Sequence, residues 1–218
     1  MTQPIFYVAE LDIGDEGLPA FSAWYANRHA PDLFLLGFRS CTSYRAIEGG
    51  LGVVDMYEAD AWDIVASEGY RRMKARDLHA APALVGRTDF THTIYVHHPA
   101  RPAEREARLD ADFITLARFA ADEASENRLA EWLSGPGTGR LEAMGAQRVR
   151  LLQRGRDHPT LKSRRARCAL VAEWGAEPPP EGRGLAMLPA SLADALQPDQ
   201  HFAGVRLYPW PDDPKLRP

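Results

Sequence analysis

The sequence repeats itself at a spacing of 108 residues, and this repeat restricts the folds that the chain can adopt. Large apolar residues and glycines recur at that spacing: Trp24 with Trp132, Leu33 with Leu141, Leu36 with Met144, and Gly37 with Gly145. The first strand-like segments correspond as well, since IFYVA at 5–9 matches FITLA at 113–117. Two copies of one unit are expected to fold alike and to bury their apolar faces together.

Hydrophobic periodicity predicts the order βαββαβ in each copy. In the first copy the predicted elements are a strand at 5–11, a helix at 18–36, strands at 38–46 and 51–58, a helix at 61–78 and a strand at 87–97. In the second copy they are a strand at 112–121, a helix at 125–144, strands at 146–154 and 166–174, a short helix at 185–196 and a strand at 202–209. We therefore predict an α+β protein with units at 1–98 and 111–210, joined by a proline-rich, charged linker at 99–110.

Composition and charge argue against a protein that binds nucleic acid, associates with a membrane or is secreted. Of the 218 residues, 45% are hydrophobic, which is enough to bury a core. The net charge of −4 predicts neither a nucleic-acid partner nor a membrane partner, and the basic run at 162–167 is interpreted as a solvated loop. No apolar run approaches the ~20 residues of a membrane span, and the N-terminus lacks the features of a signal peptide. We expect a cytoplasmic protein in which Cys41 and Cys168 are buried free thiols.

The first helix of the first copy carries ionisable residues on its apolar stripe. Counted at 100° per residue, the stripe contains Leu18, Phe21, Ser22, Tyr25, His29, Asp32 and Leu36. His29 and Asp32 lie one turn apart, so the carboxylate could orient the imidazole if the helix stays regular through Pro31. A buried histidine here is either a packed core residue or a proton-transfer group.

The second copy lacks these ionisable residues. At the spacing of 108, His29 falls on Gly137, Asp32 on Arg140 and Tyr44 on Leu152. A histidine required for packing should be replaced by a side chain of similar bulk, whereas here it is replaced by glycine. The difference between the copies favours one functional pocket, located in the first copy.

The sequence resembles the EthD-type branch of the dimeric α+β barrel superfamily. The residues that carry the resemblance are Trp24, Tyr25, His29, Pro31, Leu33, Gly37, Phe38, Tyr44 and Arg45. The resemblance implies two ferredoxin-like units whose sheets face each other in a barrel that is usually built from two chains. A tandem copy implies that one chain completes the barrel alone, with homodimerisation possible but not required.

The superfamily includes cofactor-free isomerases, lyases, cyclases and monooxygenases, as well as haem enzymes. Many relatives carry an acidic residue before the histidine, whereas this chain has Arg28. Fold alone does not fix the function in such a group.

The residues support a hypothesis about the site. The candidate catalytic residues are His29, Tyr44 and Asp32, and the candidate substrate-binding residues are Phe21, Trp24, Tyr25, Tyr57 and His92. No Cys-x-x-Cys or His-Glu-x-x-His motif occurs, so no metal is expected. The resemblance leaves haem possible, but no histidine has a context that singles it out as an axial ligand, so no cofactor is expected. We predict histidine acid–base chemistry of lyase or isomerase type on a small apolar, aromatic or polyketide-like substrate. The alternatives are a non-catalytic ligand-binding or stress-related protein and a cofactor-free monooxygenase.

Overall fold

The computed structural model describes residues 3–80, 90–101 and 108–209. Its strands are β1 (Ile5–Leu11), β2 (Ser40–Gly49), β3 (Val53–Ala59), β4 (Phe90–His97), β5 (Phe113–Ala120), β6 (Ala146–Arg154), β7 (Cys168–Trp174) and β8 (Gln197–Tyr208). Its α-helices are α1 (Leu18–Trp24), α2 (Ala30–Leu35), α3 (Asp63–Ala66), α4 (Glu68–Ala80), α5 (Glu123–Trp132), α6 (Thr138–Ala143) and α7 (Ala190–Ala193). Single π-turns join α1 to α2 (Tyr25–His29) and α5 to α6 (Leu133–Gly137), and short 3₁₀ turns lie at Pro180–Gly182 and Gly184–Met187.

The eight strands form one closed antiparallel barrel in the order β1-β3-β2-β8-β5-β7-β6-β4. Each half contributes four consecutive strands of this order, and the halves meet where β2 pairs with β8 and where β4 pairs with β6. Closure removes the unpaired sheet edges that each half would expose alone. The predicted α+β barrel of two βαββαβ repeats within one chain is confirmed.

Strand alternation divides the buried residues into an inner and an outer set. Inside the barrel, Phe6, Val8, Tyr44, Val54 and Met56 pack with residues of the second half. On the outer face of the first half, Tyr7, Ala9 and Tyr57 pack with α1, α2 and α4. The helices therefore cover the outer face of the sheet, and any space they leave lies there.

A buried ion cluster joins the halves inside the barrel. Glu10 on β1 accepts hydrogen bonds from Arg118 on β5 at 2.7 Å and from Arg165 at 2.8 and 3.0 Å. Glu10 and Arg118 are separated by the repeat spacing of 108 residues, so they are equivalent positions that face each other across the barrel. Two identical chains would place like charges there, whereas the fused chain places a carboxylate opposite a guanidinium.

The π-turn changes which residues of the first helix face the sheet. The N–H of Ala30 donates to the carbonyl of Tyr25, five residues back, and Pro31 has no N–H with which to continue a regular ladder. The extra residue rotates the following turn, so Ala30 and Leu33 are buried while Asp32 turns away from the sheet. The single regular stripe predicted over 18–36 is therefore wrong after His29.

The second half has a turn at the same spacing, but its helix is kinked at Gly135, where the backbone leaves helical φ and ψ values. Its π-turn at Leu133–Gly137 lies 108 residues after the π-turn at Tyr25–His29. The helices end at glycines with φ values of 98° (Gly37) and 102° (Gly145), a left-handed conformation that favours glycine.

Other predicted elements differ in detail. The helix predicted at 61–78 is interrupted at Ser67, which separates α3 from α4. The helix predicted at 185–196 is a 3₁₀ turn followed by the four-residue α7. Residues 87–89 of the predicted fourth strand, 102–107 of the predicted linker and the tail from 210 lie outside the described residues.

The end of the predicted linker is part of the barrel core. Leu109 and Ala111 are buried among the inner residues. Their carbonyl oxygens accept hydrogen bonds from Thr42 at 3.3 Å and from Tyr44 at 3.0 Å.

Both free cysteines, Cys41 and Cys168, are buried as expected. In the described ranges no helix has the length and apolar character needed to span a membrane.

Candidate functional site

A cavity of about 490 Å³ lies between the outer face of the first half and its helices. Small side chains create the space, because Ala9 and Ser43 flank Asp55 on the neighbouring strands. The apolar wall consists of Ala9, Leu11, Trp24, Leu33, Val65, Ala75, Pro159 and Leu161. The polar wall consists of Tyr7, His29, Asp55, Tyr57, Tyr70, Arg71, Lys74, Asp77, His92, His158 and Thr160. The volume is that of a typical small-molecule site.

Four polar side chains form a chain of hydrogen-bonding contacts along the cavity. Nδ1 of His29 lies 2.8 Å from Oδ2 of Asp77 on α4. Nε2 of the same ring lies 3.2 Å from the Tyr57 hydroxyl, which lies 3.1 Å from Oδ2 of Asp55. His29, Asp77 and Asp55 are each at most 5% exposed. The indole of Trp24 stacks on the imidazole at 4.6 Å between ring centroids, which fixes the plane of the ring.

These contacts determine which nitrogen of His29 can accept a proton. An ionised carboxylate only accepts hydrogen bonds, so Nδ1–H donates to Asp77 and Nε2 remains the basic nitrogen. Burial lowers the pKa of His29, against the opposing effect of its bond to Asp77. The ring is therefore held as a neutral base at physiological pH.

Asp55 supplies a carboxyl group that titrates near neutrality. Burial raises its pKa to about 7, although contacts with Ser43 and Tyr57 favour the charged form. The Tyr57 hydroxyl carries one proton and donates either to Asp55 or to Nε2 of His29. When Asp55 is protonated it can donate to the Tyr57 oxygen, which leaves the phenol proton for His29. A proton can thus pass between carboxyl and imidazole without solvent.

Replacing Asp55 by asparagine is expected to stabilise the protein at alkaline pH. The pKa of Asp55 is about 7 in the fold and about 4 in an unfolded chain, so between these values the folded state holds a proton that the unfolded state releases. The free energy of unfolding therefore falls as the pH rises through this window. One pKa unit corresponds to about 1.4 kcal/mol, so the loss reaches up to about 4 kcal/mol by pH 8.

Urea denaturation between pH 4 and 8 measures this effect. The stability gained by Asp55→Asn should grow up to about pH 7 and then level off, because asparagine does not ionise. Asp60→Asn is the matched control, since the Asp60 side chain is 73% exposed. A gain from Asp55→Asn that is constant with pH would contradict the assignment.

A second polar cluster lies beside the first. The Tyr70 hydroxyl donates to the Tyr7 oxygen at 3.3 Å, and the Tyr7 hydroxyl contacts Nδ1 of His92. The ring of His158 stacks on Tyr7 at 5.7 Å and meets His92 edge-on at 5.3 Å. Burial lowers the pKa of His158 to about 4 and lowers the pKa of His92. Both histidines are therefore neutral and contribute rings and hydrogen-bonding atoms without positive charge.

One side of the cavity is closed by the loop at 155–167 of the second half. The Trp62 indole N–H donates to the carbonyl of Asp157 at 3.0 Å, and the Arg156 guanidinium lies 3.5 Å above the Trp62 ring. Ser163 and Thr93 share a hydrogen bond of 2.7 Å, and Arg165 pairs with Glu10. The basic run at 162–167, predicted to be a solvated loop, therefore docks partly on the first half.

Four of the predicted site residues meet at the cavity. They are His29, Trp24, Tyr57 and His92. Phe21 and Tyr25 are buried behind the wall, where their rings pack at 5.6 Å from each other. They support Trp24 and His29 and do not line the cavity themselves.

The structure places two predicted catalytic residues away from the cavity. Tyr44 points into the barrel, because strand alternation puts it on the inner face, and its hydroxyl donates to the carbonyl of Ala111. Asp32 forms an ion pair with Arg76 on the surface, because the π-turn rotates it away from His29. Asp77 holds the imidazole in the way that was predicted for Asp32.

Several cavity residues were missing from the predicted site. Tyr70, Lys74 and Asp77 recur every three to four residues and line one face of α4, a spacing visible in the sequence. Side chains alternate between the two faces of a strand, so the outward direction of Tyr7 and Asp55 can be predicted once one outward-facing residue of each strand is known. His158 has no local signal, since its position depends on how the loop of the second half docks.

In the second half, the position equivalent to His29 is filled by tryptophan. A Cβ atom added to Gly137 would lie 2.5 Å from the Trp132 ring and 2.7 Å from its carbonyl oxygen. The indole therefore closes over the glycine, where in the first half it stacks on an imidazole. The Trp132 side chain therefore fills the space that a side chain in place of Gly137 would occupy.

Comparison with known proteins identifies the fold. No protein-family model matches the sequence, and no curated protein matches it. A provisionally assigned chlorite dismutase matches with a TM-score of 0.60 at 9% identity, over 95% of this chain and 96% of that chain. An anthrone oxidase-like protein matches with a TM-score of 0.56 at 12% identity, over 94% and 92%. A heme-binding protein from Thermus thermophilus matches with a TM-score of 0.55 at 9% identity, over 94% and 91%.

These likenesses show the α+β barrel fold and no more. The dimeric α+β barrel superfamily expected from the sequence is consistent with them, and assignment to the EthD-type branch stays a prediction.

Existing contacts of the cavity histidines compete with ligation of a haem iron. An axial ligand needs a ring nitrogen that faces open space and has no other bond. His29 uses both nitrogens, and His92 contacts Tyr7 through Nδ1 and has a further interaction. Nε2 of His158 has no partner in the described part of the chain but is enclosed. Among the described residues no cluster of His, Cys, Asp and Glu could hold a metal ion.

Proposed function

We propose that this protein is an enzyme that transfers protons on a small, largely apolar substrate bound in the first-half cavity, with His29 as the base. The observation that carries the proposal is the hydrogen-bonded chain Asp77–His29–Tyr57–Asp55 along the wall of the cavity. A buried base of fixed tautomer, backed by a carboxylate, is costly to build for packing alone.

The chemistry follows from the protonation states. A substrate with an acidic C–H or O–H loses its proton to Nε2 of His29, and Asp77 stabilises the imidazolium that forms. Protonated Asp55 then returns a proton to another atom of the substrate through Tyr57. Burial raises the pKa of Tyr57, so the phenol passes on a proton only as it receives one from Asp55. Positioned acid–base groups contribute typically ~10²–10⁴-fold. Removal of a proton at one atom and its return at another supports isomerisation, elimination or retro-aldol cleavage.

An oxygenase reaction is a second candidate, favoured by the aromatic walls of the cavity and by the likeness to an anthrone oxidase-like protein. The first step is the same proton abstraction. The carbanion then reduces O₂, and a C–O bond forms to give a hydroperoxide after proton return. Loss of water from the hydroperoxide gives the ketone.

Hydrogen–deuterium exchange tests the proposal without knowledge of the natural substrate. Anthrone and 2-tetralone carry acidic C–H bonds next to aromatic rings, and NMR in D₂O follows the loss of those protons. We expect the protein to accelerate exchange under nitrogen, and O₂ uptake in air to reveal whether oxygenation follows. Binding of both compounds without faster exchange would contradict the proposal and support the ligand-binding alternative.

Two aspartate variants distinguish the predicted partner of His29 from the one in the structure. Asp77→Asn removes the acceptor that fixes Nδ1–H, so exchange should slow by roughly 10-fold or more. Asp32→Asn breaks only an ion pair with Arg76 and should leave exchange unchanged. Equal effects of the two changes, measured in the same NMR assay, would contradict the orienting role of Asp77.

A further inference from the structure

Lys74 presents a cation to the cavity without a bonded partner among the described residues. It lies on α4, three residues before Asp77, and its side chain is part of the cavity wall. Within the described part of the chain its ammonium forms no hydrogen bond or ion pair, although Asp77 and Asp55 attract it through space. Burial lowers the pKa of Lys74, while its side chain stays partly exposed. The donors of its ammonium are therefore available to an acceptor on a ligand in the cavity.

The neighbouring carboxyl groups in the described ranges attract this ammonium but do not bond to it. Asp77 is bonded to His29, and Asp55, with a pKa of about 7, is partly protonated at neutral pH. His92 and His158 are neutral, because burial lowers the pKa of each. Arg71, which also lines the cavity, adds positive charge, and its guanidinium donates to the carbonyl of Ala66 at 2.9 Å.

We infer that Lys74 is a specificity-determining residue that binds the carboxylate of an aromatic or long aliphatic acid. This inference rests on the proposed function and names its substrate class. Leu11, Trp24, Leu33, Val65 and Leu161 provide the apolar surface that covers the body of such an acid. The ammonium donates to the carboxylate at one wall, while His29 acts on the body of the molecule.

Calorimetric titration with matched pairs of acids and amides tests this assignment. The probes are benzoate, 2-naphthoate and 4-phenylbutyrate, each compared with its primary amide, which has nearly the same shape and no charge. The unmodified protein should bind at least one acid about tenfold more tightly than its amide, because a bond between two charged groups is stronger than a neutral one. Lys74→Met should remove this preference by weakening the acid and leaving the amide unchanged.

Three further variants make the outcome decisive. Lys162→Met removes an exposed lysine from the loop at 155–167 and should keep the preference for acids. Lys74→Gln replaces Lys74→Met if the methionine variant does not fold. His29→Gln should keep the acid preference while losing proton exchange. Acid binding by the unmodified protein without any proton exchange would refute the proposed function and leave the role of Lys74 standing. Equal binding of acids and amides by the unmodified protein, or an acid preference that survives in the Lys74 variants, would overturn the inference.

Discussion

Changing His29 to glutamine is expected to slow proton exchange by at least ~10²-fold while the protein stays folded. Glutamine has similar length and can still contact Asp77 and Tyr57, but it has no basic nitrogen at neutral pH. The variant therefore deletes proton transfer and keeps the wall of the cavity. The measurement is the NMR exchange rate of anthrone, together with the melting temperature.

His201→Gln is the matched control for this change. The His201 side chain is 45% exposed, pairs with Glu48 on the surface and does not line the cavity. Its replacement should alter neither exchange nor melting temperature. A His29→Gln protein that exchanges protons at the normal rate, or that loses its fold instead, would show that His29 is a packing residue.

Changing Glu10 to glutamine is expected to destabilise the protein by about 3–5 kcal/mol, since removal of one partner leaves uncompensated charge in the barrel. Glu10 is fully buried and is the shared acceptor of Arg118 and Arg165. For a chain of this length such a loss lowers the melting temperature by roughly 10 °C. Thermal unfolding followed by circular dichroism measures the shift.

Glu68→Gln is the comparison for this change. Glu68 pairs with Arg72 one helical turn away, and both side chains are more than half exposed. Exposed pairs of this kind contribute about 0.3–0.5 kcal/mol, so the variant should unfold almost normally. If Glu10→Gln were as stable as Glu68→Gln, the ion cluster would not join the two halves.

The fold could be predicted because its signals are local and occur twice. The matching tryptophans and glycines require no knowledge of contacts between distant residues, and the antiparallel strands follow from alternation. The same repeat contains the ion pair between Glu10 and Arg118, since these equivalent positions carry a negative residue in one copy and a positive residue in the other. Only the closed barrel shows that these positions face each other.

The candidate site was predictable only in part. His29 stands out because its equivalent is Gly137, and the position of Trp24 follows from the same helix. The orienting carboxylate was assigned to Asp32, because a regular helix places it one turn from His29. One π-turn moves that residue to the surface, and the role falls to Asp77 on another helix. An inserted residue changes helical phase without a clear signal in hydrophobic periodicity.

Residues brought to the cavity by long-range docking could not be predicted. His158 belongs to the half that lacks the site, and it reaches the cavity only because its loop packs against Trp62 and Thr93. The second half has thus filled its own equivalent position with Trp132 and contributes a wall to the site of the first half.

His29 is held as a neutral base, with the proton on Nδ1 and the basic electron pair on Nε2, beside the Tyr57 hydroxyl. Nitrogen-15 NMR of the imidazole measures this directly and needs no substrate. We predict a protonated Nδ1 and an unprotonated Nε2 at pH 7.5, with conversion to the imidazolium only below the ordinary histidine pKa of ~6.5. A proton on Nε2 with a bare Nδ1, or an imidazolium that persists above pH 7, would contradict this assignment.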